Sequence, residues 1–470
     1  MSARRVVVIG AGMGGLAAAI RLSQLGHHVR LLEARASPGG LASGCEYGSF
    51  TFDVGPYIIL DRPGLEWAFG KLGIQLDEAV TLDAVDHVYQ VAFGDGEPVG
   101  FFADLDKTVG EIDRRWPGAG LRYRAFVDSM REIHRRTRPQ LFRRRPQLRS
   151  IVTTGAWRDV PFLLRSLESV LAATGLPDQV RDAIAIWTHI AGQPLSEAPS
   201  PMALVAALIH SAGAFYPRDG IGAIPAFLAR RAAAAGVELH YGARVRSIRT
   251  MSGRVRGVET SSGAFIEADA VVSNAHGVGT YLELVDSTPD RARCGLARLR
   301  LQSPGVCAYL RVRTDPRAPY LSFHVPGAGE PPRLLVMPGV VNRGCGRDGW
   351  WPARLIAPLD HDHAQRLGLS GQRALLHRLL EECWWRDGIV DYEVLATRVP
   401  AEWGAEFHLY RDSMNPVMTA QSMRAGRLPH RSPWIERLYL AGSSTHPGQW
   451  VSFCAVSGIL AAEQLHRDLA

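Results

Sequence analysis

The stretch VVVIGAGMGGLAAAIRLSQLGHHVRLLEA, residues 6–34, constrains the fold more than any other part of this chain. Arg5–Ile9 is a short β-branched run, suited to a strand buried on both faces of a parallel sheet. Gly10, Gly12 and Gly15 then form GxGxxG. The first glycine permits a tight turn, the second lets backbone approach a pyrophosphate, and the third lets the following helix pack on the strand. A helix is expected from Leu16 to Leu25, its N-terminal amides facing the phosphates, with Gly26 ending it and His28–Leu32 forming the second strand. Glu33, 18 residues after Gly15, closes the unit. A carboxylate there accepts both hydroxyls of an adenosine ribose and repels a 2′-phosphate, so a dinucleotide other than NADP is expected.

FAD and NAD share the adenosine diphosphate half, so residues beyond the unit must choose between them. Arg35 and the Gly39–Gly40–Leu41 turn resemble the extension by which flavoproteins of the glutathione-reductase type carry the chain along the pyrophosphate toward the flavin. The DVGP segment, with Asp53, Gly55 and Pro56, stands in the same relative place. Both favour FAD.

Three later blocks complete a resemblance to the phytoene desaturase family, the FAD-dependent carotenoid desaturases with their isomerase and saturase relatives. They are FYPRDGIGAIPAFLARRAAAAGVELHYGARVRSI (215–248), ADAVVSNAH (268–276) and RLYLAGSSTHPGQWVSFCAVSGILAAE (437–463). Gly220, Gly222 and Val245 match family positions in the first block, and His276 stands where the family often has Asp. The third block reads as a strand, a polar loop beginning at Gly442, and a helix that starts beside Trp450 and Val451. Amides at such a helix start stabilise negative charge on a reduced flavin.

The resemblance implies an α/β protein: a Rossmann-like FAD-binding domain of the glutathione-reductase type, with a discontinuous α+β substrate domain. The first is expected from residues 1–80, 215–290 and 425–470. The second is expected from 81–214, mostly helical, and 291–424, bearing a sheet. The implied activity is desaturation of a hydrophobic polyene: hydride leaves to flavin N5, a proton leaves the neighbouring carbon, and electrons pass to quinone or oxygen. An isomerase or saturase, an oxidase of another natural product, and a flavin-free isoprenoid escort protein are the alternative readings. Intact cofactor motifs argue against the escort protein.

The resemblance names three candidates near the chemistry. His446, in the THPG turn, assists proton removal, orients the loop or bonds to backbone. Trp450, with Gln449 and Phe453, stands where the family has small residues and proline, and either reshapes the pocket or packs locally. Arg218 faces the flavin or the substrate mouth, or pairs with a surface acid. Trp384, Trp385 and Trp403 read more readily as core than as channel lining. The chain has no HExxH, GxSxG or P-loop, so no independent hydrolytic or phosphoryl-transfer centre is expected, and no metal site.

The balance of 53 Lys+Arg against 46 Asp+Glu gives only +7, but the charge is uneven. REIHRRTRPQLFRRRPQLRS (131–150) carries eight arginines among apolar residues, broken by Pro139 and Pro146. It suits an anionic membrane surface or a solvated face. No nucleic-acid module surrounds it. Six scattered cysteines without a CxxC pair suggest neither disulfides nor zinc. The expected setting is cytoplasmic, or peripheral on the inner face of the membrane. The uncharged stretch 198–216 reads as a buried helix, and the opening MSARR–VVVIG as strand and turn, not a signal peptide.

Overall fold

The computed structural model describes residues 3–469 except 95, 144–147, 191–193, 315, 317, 318, 328 and 329. Five short strands form one parallel sheet: β1 (Arg5–Ile9), β2 (His28–Leu32), β3 (Glu238–His240), β4 (Ala270–Ser273) and β5 (Leu438–Leu440), in the order β5-β4-β1-β2-β3. β1 lies at the centre, with Val6 opposite Val29 on one side and Ala270 on the other. Its inner residues Val6, Val7 and Val8 are buried on both faces, as a continuous apolar run requires.

Helix α1 (Met13–Gln24) starts three residues earlier than the sequence pattern suggests, because Gly14 and Gly15 belong to its first turn. Their missing side chains set how closely it packs. A Cβ on Gly15 would lie 1.9 Å from the Gly10 carbonyl oxygen. On another side, the C-terminal helix Val451–Leu469 presses Gly458 onto α1, where an added Cβ would lie 2.0 Å from the Gly14 carbonyl oxygen. Ala17, Ala18 and Ala19 of α1 and Ala461 and Ala462 of the C-terminal helix are all fully buried.

A second sheet of seven strands has the order 391–398, 306–313, 351–357, 333–336, 321–325, 87–93, 99–102. The 81–214 segment is thus not helical throughout. Its HVYQVAF stretch (87–93) is rich in β-branched and aromatic residues and pairs in parallel with Leu321–Val325, while helices make up most of the described residues of 105–212. The uncharged stretch is a short turn, Ser200–Ala203, and a largely buried helix, Leu204–Ala212.

Arg354, on the strand Trp351–Ala357, is 4% exposed and ties this sheet to the N-terminal region. It donates to the carbonyls of Val54 (2.9 Å) and Gly55 (3.2 Å). The neighbouring Asp53 accepts from Tyr216 Oη (2.8 Å) and the Ile221 amide (2.7 Å), so DVGP also anchors the 215–248 block.

The arginine run is less uniformly cationic than its sequence suggests. Its first part ends the helix Ala119–Thr137, where Arg131 pairs with Asp128, Arg135 with Glu132, and Arg136 with Glu132 and Asp159. Arg144, Arg145 and Pro146 lie outside the described residues. The succeeding short helices expose Leu148, Val152, Trp157, Val160 and Leu164. Among the described residues, no helix is long and apolar enough to cross a membrane.

Replacing Gly458 with Val should overpack the α1 contact and cost about 1–3 kcal/mol of stability. A lowered urea midpoint, with FAD retention reduced in parallel, is the expected result; an unchanged midpoint would refute the contact.

Candidate cofactor and active site

The glycine-rich turn after β1 is a floor from which side chains are excluded. Gly10 leaves β1 with φ of +92° and donates its amide to the Leu32 carbonyl (2.8 Å). Over this turn lies Asn274, at the end of β4, which the sequence reading passed over. A Cβ on Gly12 would sit 2.7 Å from Asn274 Nδ2. A Cβ on Gly14 would sit 2.5 Å from Asn274 Oδ1 and 2.8 Å from the Gly442 amide nitrogen. Gly442, with φ of +86°, donates to Ser457 Oγ (2.9 Å) and packs on the same amide.

Glu33 is 7% exposed at the end of β2. It accepts the Ala11 amide (2.6 Å) on one oxygen and the Arg35 amide (2.9 Å) on the other. Each oxygen keeps a second lone pair, and the residue lines the cavity, so the carboxylate can still accept a ribose hydroxyl. Arg35 lines it too, held by Ser43 Oγ (3.1 Å), Glu406 (3.3 Å) and the Phe407 ring (4.2 Å). Gly40, Leu41, Gly55, Pro56, Val245 and Val451 share the same lining, with Gly55 so close to Leu41 that a Cβ would lie 2.5 Å from its carbonyl oxygen.

The cavity occupies about 1780 Å³ and runs from this floor to an apolar region walled by Trp187, Met202, Leu208, Phe323 and Leu334. Ligand pockets commonly span about 300–1,000 Å³, so a dinucleotide and a long apolar molecule fit together. The side-chain-free cradle, the buried acid and this volume all suit FAD.

Trp450 lines the cavity stacked on Phe453, with ring centroids 5.0 Å apart and planes 9° apart. His446 also lines it, and its Nε2 donates to the carbonyls of Gln140 (3.2 Å) and Leu141 (3.1 Å). Asp61, unnoticed in the sequence, accepts from the Gly64 amide (3.1 Å) and from Ser452 Oγ (2.8 Å), joining the first segment to the start of the C-terminal helix. Burial raises its carboxyl above the usual range.

Arg218 does not reach the cavity. It sits on the surface in a bidentate pair with Asp83 (2.7 and 3.2 Å), because the antiparallel pairing of Leu82–Ala84 with Phe215–Pro217 places the two side by side. His276 caps a helical turn, Nδ1 accepting from the Gly279 amide (3.2 Å), the role an Asp performs at that position type. Trp385 is core and Trp384 stacks on His324, whereas Trp403 is 3% exposed yet contributes to the cavity wall.

Residues 13–307 match the family described as flavin containing amine oxidoreductase. The chain belongs to that family. Its cofactor is FAD. The zeta-carotene-forming phytoene desaturase of Myxococcus xanthus is 29% identical, over 98% of this chain and 94% of that protein. The lycopene-forming phytoene desaturase of Pantoea ananas is 28% identical over 94% of each chain, and the hydroxyneurosporene desaturase of Cereibacter sphaeroides is 29% identical over 99% of this chain and 98% of that one. The fold is shared with an oxidoreductase from Methanosarcina mazei (TM-score 0.67, 16% identity, 98% of this chain and 100% of that one). Putrescine oxidase with putrescine bound gives a TM-score of 0.66 at 16% identity, covering 100% of this chain and 99% of that one. The C-terminal THPG loop lies beyond the span the flavin family matches.

Replacing Glu33 with Ala removes a charged acceptor, and FAD should bind roughly 10- to 100-fold more weakly. Replacing Arg218 with Ala should leave FAD affinity unchanged. Fluorescence titration of the apoprotein checks both.

Histidines shielded from water weaken the fold as pH falls. Burial pulls His134 and His210 down to about 4 and His276 down to about 3, and lowers His27 and His446 as well. Unfolded histidine titrates near about 6.5, so below that pH the unfolded chain binds more protons. Their contribution is therefore fully present above about 6.5 and is lost as pH falls toward 4. Asp53 and Asp61, raised by burial, act in the opposite sense at the acid end. The urea midpoint should fall between pH 7 and pH 5; a flat profile would contradict this.

Proposed function

We propose that this flavoprotein desaturates a carotenoid or carotenoid-like polyene. The observation that carries the reading is the single cavity joining the phosphate-binding floor to a wall of Trp187, Met202, Leu208, Phe323 and Leu334. Its full-length relatives named as carotenoid desaturases support it. When bound, FAD supplies the two-electron acceptor that takes hydride from a C–H bond. The protein supplies a dry channel whose apolar walls hold the chain by fit along its length. The second hydrogen leaves the adjacent carbon as a proton, and a quinone or oxygen would finally take up the protons and electrons of both hydrogens.

Within that channel the residues do separate work. The C-terminal helix starts at the cavity wall, with Val451 and Ser452 in its lining, so the positive end of its dipole favours negative charge there. His446 is neutral, with Nε2 already donating to two carbonyls, so we assign it the orienting of the 443–450 loop against Gln140–Leu141. Trp450 shapes the pocket through its stack on Phe453.

A membrane surface is the proposed source of substrate. The arginines of 131–136 are largely paired, so the stronger support is the exposed apolar series Leu148, Val152, Trp157, Val160 and Leu164, of which Val160 and Leu164 also line the cavity. FAD-loaded protein should float with anionic phospholipid vesicles, and combined Leu148→Ser, Val152→Ser and Trp157→Ser should release it. Unchanged flotation would place the contact elsewhere.

For the activity itself, FAD-loaded protein mixed anaerobically with phytoene, neurosporene, hydroxylated carotenes or unrelated lipids should lose its oxidised-flavin absorbance only with polyenes. The product should show longer conjugation. FAD-loaded protein that no polyene reduces would overturn the assignment.

A further inference from the structure

Among the residues lining the cavity is a cation, Arg427, that no ion pair among the described residues balances. Arg427 follows the helix Ala420–Ala425 and is enclosed by protein, yet part of its surface faces the cavity. Its Nη1 donates to the Ser443 carbonyl (3.3 Å). Among the described residues it has no other hydrogen bond and no carboxylate in ion-pair range. A Cβ on Gly448 would lie 3.2 Å from its Nη2 and 3.3 Å from the Phe453 ring, so the glycine, at φ of +153°, leaves the guanidinium and the Trp450–Phe453 stack side by side.

The groups around it carry no balancing charge. Burial pushes the Cys454 thiol up to about 12, keeping it protonated, and holds His446 neutral. Burial also pulls the guanidinium itself down to about 10, leaving it charged at neutral pH. A hydrocarbon lying against Arg427 would leave its remaining N–H groups without acceptors, which is costly. An oxygen acceptor would satisfy them, and a charged donor makes such a bond strong.

We propose that Arg427 sets substrate specificity: it donates to a carbonyl or carboxylate oxygen at one end of the polyene, so the preferred substrate is oxygenated and not a pure hydrocarbon. This rests on the polyene reading and adds which end group the site selects.

The test uses FAD-loaded protein in detergent and three probes of equal length: a long polyene hydrocarbon, the matching aldehyde and the matching acid. Binding is read from quenching of tryptophan fluorescence, since Trp187 and Trp450 line the cavity. The wild type should bind the aldehyde and the acid roughly 10- to 100-fold more tightly than the hydrocarbon. Arg427→Gln should erase that preference while leaving hydrocarbon affinity unchanged, and Arg427→Lys should keep the preference for the acid. Wild-type protein that binds all three equally would overturn the specificity claim alone. Protein that binds none of them would overturn the polyene reading beneath it. Equal weakening of all three in Arg427→Gln, with a shifted flavin reduction potential, would overturn the claim by showing that the charge serves the cofactor. Should Arg427→Gln fail to fold, as read from its FAD content and melting, the wild-type preference and Arg427→Lys decide.

Discussion

Around the Asn274 side chain, glycines draw distant stretches of chain closer than any side chain permits. Gly12 and Gly14 from the first turn of α1, and Gly442 from the end of the last strand, all meet this one amide, while Gly458 meets the Gly14 carbonyl from the C-terminal helix. Backbone against backbone at this spacing leaves a stretch of cavity wall free of side chains, a surface that a phosphate can approach closely. The same contact orders the topology. The first, middle and last parts of the sequence must converge at one end of these strands before the floor exists, so β1, β4 and β5 stand next to one another.

What the floor holds must reach a second region, and Arg354 spans the gap. Its guanidinium comes from the seven-stranded sheet and takes the carbonyls of Val54 and Gly55, beside the buried carboxylate of Asp53. A buried cation is tolerated only with such partners, and removing either side would leave an uncompensated charge. The DVGP segment is thereby fixed from both directions, by Arg354 on one side and by Tyr216 and the Ile221 amide on the other. The cavity is the space left between these anchored parts, which is why one volume touches both Gly10 and Leu334.

Local patterns were legible because they encode local geometry. The β-branched run, the glycine spacing, the alanine-rich helix and the terminal acid placed β1, α1, β2 and Glu33 correctly, with α1 starting early only because glycines join its first turn. The THPG block correctly announced a strand, a loop and a helix. Long-range partners were not legible. Nothing in the neighbourhood of Arg218 announces Asp83, and nothing near Arg136 announces Asp159, 23 residues later. Nothing local marks Asn274 within ADAVVSNAH, since its importance comes from two glycines more than 250 residues away. Arg427 resembles any other surface arginine in sequence, and only enclosure beside Gly448 distinguishes it.

One cofactor floor and one apolar channel form a continuous space, and a structure of the FAD-loaded protein with a bound polyene analogue tests that most directly. The adenosine should lie against Glu33, the phosphates over Gly12 and Gly14, and the polyene along Trp187, Leu208 and Phe323. A polyene bound elsewhere, or FAD filling the whole space so that no chain can enter, would contradict it.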